Sequence, residues 1–209
     1  MVFSMGSKMT RLTRAESQAR TRQKLLLTSK TCFLRDGYAA TSLEGIAEAA
    51  GYSKGAVYSN FESKDELCLA VLDVVRAERA SQLVLAVAGL RDLDAQITAF
   101  ETWAERHIGD RAWTSLEVEF AVHASRDRAL ARKLARREES IRAVVVRLVA
   151  ALMEEHGLDA EMPAEDVAVA LLSVGIGLGV QRALDPTLSV RSLGKLARLL
   201  ATKRSPRRR

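Results

Sequence analysis

Residues able to do covalent chemistry are scarce in this chain of 209 residues. Its three histidines, His107, His123 and His156, are scattered without the spacing that brings two imidazoles onto one metal ion. Its two cysteines, Cys32 and Cys68, exclude a multi-cysteine zinc site and a disulfide framework, and they suit a reducing cytoplasm. No H-E-x-x-H, G-x-S-x-G or Walker string occurs. Gly175, Gly177 and Gly179 alternate, but a dinucleotide fingerprint would need glycine at Val180 and a strand before it. An enzyme, a bound metal and a cofactor are therefore not expected. Chemistry of another kind gathers in Lys54–Asn60. There Lys54, Tyr58, Ser59 and Asn60 offer a charge, hydroxyls and an amide beside the small residues Gly55 and Ala56. Such groups bind phosphates and base edges, and small side chains let a helix backbone come close to a surface.

That segment needs a scaffold. Val57 and Phe61, four residues apart, can turn inward, and Ser53 is placed to cap a short helix expected over Lys54–Asn60. Upstream, Thr41-Ser42-Leu43-Glu44 reads as a capping box with Thr41 as N-cap. The helix it opens carries an apolar stripe of Leu43, Ile46, Ala47 and Ala50, and Gly51 stops it. Downstream, Ser63-Lys64-Asp65-Glu66 is a second capping box, followed by Leu67, Ala70, Val71, Val74 and Val75 on one side. A bracing helix over 17–36, with Leu25, Leu26, Cys32 and Phe33 on one stripe, ends at Gly37. Two short helices joined by a glycine-containing turn behind a brace make a helix-turn-helix, whose second helix enters a major groove. Arg11, Arg14, Arg20, Arg22 and Lys24 crowd the start of the brace, against its dipole, and phosphate contacts would account for them.

The string G-Y-x-x-T-S-L-x-x-I-A-x-x-A-G-Y-S-K-G-A-V-Y-x-x-F-x-S-K-D-E-L, from Gly37 to Leu67, resembles the DNA-binding signature of TetR-family transcriptional regulators. Leu25, Leu26 and Phe33 also fit, so the resemblance covers the first third of the chain. It implies that Thr41 or Ser42 touches a phosphate. Ser53, Lys54, Gly55 and Ala56 would lie at the groove-entering end. Tyr58 would bind a phosphate through its hydroxyl, Ser59 and Asn60 would flank the backbone, and Lys64 would hold a phosphate at the next helix start. Ala56 stands where many members carry threonine, leaving a methyl suited to thymine. Ser59 stands where an aromatic residue or histidine is common.

Beyond residue 76 the pattern changes to long helices, expected over 93–107, 113–124 and 127–156. Phe100, Trp103, Trp113 and Phe120 fall in one window, with His107 and His123 beside them. They are expected to line an effector pocket, apolar with a few polar points. Val167–Val180 is apolar on nearly every side, yet shorter than the roughly 20 residues that cross a bilayer. It is expected to be a helix buried in protein, with a second subunit as one cover. The resemblance implies that 167–182 and 192–201 form a dimer interface, with Leu171, Val174, Gly175, Leu178, Gly179, Leu196 and Leu200 in it.

Net charge is +6 and unevenly placed. Residues 1–60 hold nine Lys/Arg against four Asp/Glu, and Lys203–Arg209 adds five cations, so the stretch between is acidic. Basic ends on an acidic body point to a polyanion as partner. The expected fold is all-α. A flexible basic segment (1–16) precedes a helix-turn-helix head (17–63). A helical ligand-binding and dimerisation body follows (64–202, with 64–80 as connecting helix), then a disordered basic tail (203–209). The expected function is a cytoplasmic, homodimeric repressor. It would be released from a palindromic double-stranded DNA operator by a small apolar effector, with no membrane partner. A sequence-blind DNA packager and a ligand-dependent activator of the same fold are the alternatives.

Overall fold

The computed structural model describes residues 13–158 and 162–201, and every regular element among them is an α-helix. Arg11 and the tail 203–209 fall outside the described residues. The head comprises α1 (Arg14–Ala40), α2 (Leu43–Ala50) and α3 (Lys54–Tyr58). The body comprises α4 (Lys64–Val87), α5 (Leu93–His107), α6 (Arg111–Ala124), α7 (Arg128–Glu155), α8 (Ala164–Leu184) and α9 (Arg191–Leu200).

The brace starts earlier than its apolar stripe suggests. Thr13 Oγ1 accepts the Glu16 N–H at 3.2 Å, and Glu16 Oε2 accepts the Thr13 N–H at 2.7 Å. This full capping box draws residues 14–16 into helix, so they are not part of a flexible lead. The far end of α1 breaks at Gly37 as expected, with φ 82° and ψ 175°. Thr41, expected as the next N-cap, has another task. Its hydroxyl donates to the Gly37 carbonyl at 2.7 Å, and the residue is buried. Ser42 caps α2 instead, accepting the Gly45 N–H at 3.0 Å. Ser63 caps α4 through the Glu66 N–H, while Glu66 reaches back to the N–H of Glu62. α4 then runs 24 residues without interruption, well past residue 80.

One apolar cluster fills the head and continues into the body. Leu25, Phe33, Ile46, Val57 and Phe61 from the head pack with Leu67, Leu72, Leu116 and Phe120 from α4 and α6. Each such side chain contributes about 1.5–3 kcal/mol on burial, so the head draws much of its stability from body helices. A second, smaller cluster of Val149, Val167 and Ala168 joins α7 to α8, with Leu171 and Leu200 packed against it.

α8 is longer than expected. As folded it is 21 residues long, enough by length and composition to cross a membrane. Within this chain it is covered on one face, where Val167, Ala168, Gly179 and Arg182 are buried. Arg182, in its last turn, anchors it by donating to the Ile108 carbonyl at 2.8 Å and to Glu105 at 2.9 Å. Gly175 and Gly179 face Ile108 of their own chain, so close packing there is intramolecular.

Gly37 gives a direct test of the α1 break. A Cβ at its φ of 82° would lie 2.7 Å from Glu119 Oε2, and such backbone is nearly glycine-only. Gly37→Ala should lower stability by about 1–3 kcal/mol, read as a lower urea midpoint at unchanged slope.

Candidate nucleic-acid interface

α3 presents two faces of opposite character. Inward, Val57 and Phe61 are almost fully buried and tie the helix to the head core. Outward, Ser53, Lys54, Gly55, Tyr58 and Ser59 are exposed, and Tyr58 keeps 50% of its surface in solvent. The turn before α3 is built by Gly51 at φ 73°, whose left-handed backbone ends α2 and lets the Tyr52 N–H donate to the Ala47 carbonyl at 2.9 Å. Ser53 then accepts the Ala56 N–H at 3.2 Å. Asn60 closes the helix by donating to the Ala56 carbonyl at 2.8 Å, which uses part of its amide internally. Helical geometry ends at Tyr58, two residues before the expected end, because Ser59 and Asn60 serve as its cap and turn.

At Gly55 a Cβ would meet only Ser53 Oγ, at 3.8 Å. Nothing inside the chain demands a glycine there. Its absent side chain leaves the outer surface of α3 open to a close neighbour. Lys54 pairs with Glu44 at the start of α2, and this contact holds the Glu44 carboxyl below its usual range. Both partners are exposed, and such pairs contribute little, so a phosphate can compete for Lys54.

Two expected phosphate ligands turn inward. Lys64 Nζ donates to the carbonyls of Tyr38 and Thr41 at 3.0 and 3.1 Å and lies 4.2 Å from the Tyr38 ring centre. It closes the α1–α2 connection rather than facing out. Thr41 is buried, so of the Thr41/Ser42 pair only Ser42 is exposed. Arg22, expected among the cations of α1 that phosphate contacts would account for, reaches the Asn60 carbonyl, lies 3.8 Å from Glu66 and stacks 4.0 Å over Phe61. This Arg22 brace was not read from the sequence. Its only signal was a cation on α1 with no local acid to pair with. Arg14, Arg20 and Lys24 remain exposed on α1.

The expected effector residues divide among α5, the shared core and the head–body joint. Phe100, Trp103 and His107 stack along α5, with centroids 6.1 and 4.9 Å apart. Trp103 Nε1 donates to the Arg79 carbonyl at 3.1 Å. Trp113 and Phe120 belong to the solid core shared with the head. His123 lies 2.9 Å from Asp65 and 3.1 Å from the Tyr38 hydroxyl, at the joint between head and body. Arg79 links α5 to the core, donating to the His107 carbonyl at 2.9 Å while lying 4.9 Å over Trp113. Open space lies elsewhere: a cleft of about 350 Å³ whose walls include Val84, Val87, Leu90, Leu148 and Leu152, with Arg91 and Glu155 at its edge.

Residues 25–71 match the family of bacterial regulatory proteins of the tetR type, and residues 98–201 match the C-terminal domain of BetI-type transcriptional repressors. The HTH-type transcriptional regulator TtgR of Pseudomonas putida is 42% identical over 65 residues, 31% of this chain and 30% of that one. The chain thus matches under a third of that relative's length. The regulator CymR of the same species is 28% identical over 171 residues, 82% of this chain and 83% of CymR. Among solved structures, a TetR transcription regulator from Haloarcula marismortui superposes with a TM-score of 0.68 at 18% identity, covering 88% of this chain and 97% of that one. At that identity the likeness speaks for the fold alone.

Two lysines separate contact from structure. Lys54→Ala should lower the slope of log affinity against log salt by about one, the loss of one phosphate contact. Lys64→Ala should leave that slope unchanged and instead cost roughly 1.5–3 kcal/mol of stability, from two lost charge-assisted bonds. Filter binding over a salt series and thermal melts check both.

Proposed function

The chain belongs to the TetR family of bacterial transcriptional regulators, and from that premise we propose that it is a homodimeric repressor acting in the cytoplasm. It would release a palindromic operator when a small apolar effector binds its body. The observation that carries the reading is the outer face of α3, open at Gly55 and Tyr58 while Val57 locks the inner face. Two such faces, one per subunit, would enter successive major grooves about 34–36 Å apart. Ser42, Ser53, Lys54, Gly55, Ala56, Tyr58, Ser59 and Asn60 are the proposed contacts. The name of the matching C-terminal family supports repression over activation.

Dimerisation is supported by α8. Val169, Ile176, Val180 and Leu184 stand 39%, 61%, 37% and 85% exposed, at spacings that put them on one stripe of the helix. An apolar helix stripe of this length is costly in water and is satisfied by its copy on a second subunit. The proposed interface is therefore this stripe; Val174, 39% exposed, lies on a different face of α8. Leu171, Gly175, Gly179 and Leu200 pack within their own chain. Leu178 and Leu196 are half-buried.

The cleft beside Val84 and Leu148 offers an apolar effector the room that the packed aromatic residues lack. It lies at the far end of α4, whose first turn belongs to the head joint. The helix is about 36 Å long, so a shift at one end is carried to the other. An effector acts only by favouring one of two states, typically by about 1–3 kcal/mol.

Selecting binders from a random DNA pool should yield a dyad-symmetric consensus. Equal binding to all sequences would favour a packager. Ile176→Asp should give monomers by light scattering, and a variant that stays dimeric would sink the α8 interface. Apolar compounds that raise the thermal midpoint should weaken operator binding. Equal affinity of free and saturated protein would remove the effector arm.

A further inference from the structure

α6 holds the head at two points one turn apart. The first is Glu119. Its Oε2 accepts the Tyr38 N–H at 2.8 Å, and its Oε1 accepts the Ala39 N–H at 2.7 Å. The second is His123, whose Nε2 lies 2.9 Å from Asp65 Oδ1 and 3.1 Å from the Tyr38 hydroxyl. A carboxylate bound by two consecutive backbone N–H groups is fixed in angle as well as distance, because each oxygen has its own donor. Gly37 makes this possible. Its φ of 82° takes the chain out of helix just before the two N–H groups, and a Cβ there would sit 2.7 Å from the carboxylate.

What Glu119 holds is the segment that starts the reading unit. The Tyr38 and Thr41 carbonyls accept from Lys64, and the Thr41 hydroxyl returns to the Gly37 carbonyl. Leu43 then begins α2, and α3 follows through the Gly51 turn. The shared apolar core sets that head and body touch. Its close packing limits how far they can turn against each other, and within that limit the directional contacts set the angle. The carboxylate is directional, and it is only half-buried, so it can be released without opening the core.

We propose that Glu119 is a positioning residue for DNA reading: from the body it sets the orientation of the head, and hence the spacing of the two reading helices. This rests on the dimeric, two-site reading above. With Glu119 engaged, both α3 helices meet their grooves together. With it released, each head still binds a half-site, but the pair no longer matches the full operator.

The test is Glu119→Gln, which keeps length and shape but offers one acceptor oxygen and opposes the second N–H with its own amide. Affinity is measured for the full dyad site and for a single half-site duplex, with thermal midpoint and amide exchange at Tyr38 and Ala39. The expected result is a loss of about tenfold or more on the full site, because two-point engagement fails. Half-site affinity stays unchanged, and exchange quickens at the two amides. Full-site and half-site affinity falling together with the thermal midpoint would assign Glu119 to stability alone and overturn the proposal. A variant that keeps the full-site advantage overturns it too. If the native protein itself shows no advantage of full site over half-site, the dimeric reading is what has failed, and the proposal falls with it.

Discussion

Phe33 and Phe61 of the head close against Leu67, Leu72, Leu116 and Phe120 of the body in one apolar cluster. This shared packing constrains everything else. Interiors are close-packed, so α4 and α6 cannot move far without moving α1. The boundary expected between residues 63 and 64 is therefore a change of role rather than a gap in the core. A regulator built this way can carry a signal from body to head through rigid helices. Gly37, Glu119, Asp65 and His123 add direction to a contact that the core supplies only as proximity.

The cations divide in the same spirit. A count of Lys and Arg makes the head look richer in phosphate ligands than its surface is. Arg22 and Lys64 spend their donors on backbone carbonyls of the head's own turns. In the body, Arg182 does the same for Ile108 and Leu188. Carbonyls at helix ends lack intrahelical partners, and a long cationic side chain is well suited to satisfy them. Among the described residues of the head, what remains for a nucleic acid is Lys54, held by an exposed pair with Glu44 and lying 5.8 Å over the Tyr58 ring, and the exposed cations of α1.

α8 shows where pattern reading loses its grip. A helix with one apolar stripe declares which face is inside. α8 is apolar almost all round, so its sequence holds two candidate stripes and no preference between them. The chosen inner face follows from Arg182 and from glycines that admit Ile108 and Gly109. The stripe through Ile176 is what remains outside.

The local signals in the sequence determined most of the head. Gly37 and Gly51 as stops, Ser53 and Ser63 as caps, and Val57 with Phe61 as the inner face of α3 were all legible. Each depends on residues within one or two turns, where spacing and backbone geometry leave few options. The same holds for α5, α6 and α7, whose bounds agree to within two residues of their expected ranges. Only the tertiary structure decided that Thr41 and Lys64 face inward, that Arg22 braces α3, and that the six aromatic and histidine residues divide among α5, the core and the head–body joint. It alone placed Glu119 on Tyr38 and Ala39, 81 and 80 residues away in sequence. Such pairings answer to which helices end up adjacent, and a spacing rule within one helix carries no information about its neighbours.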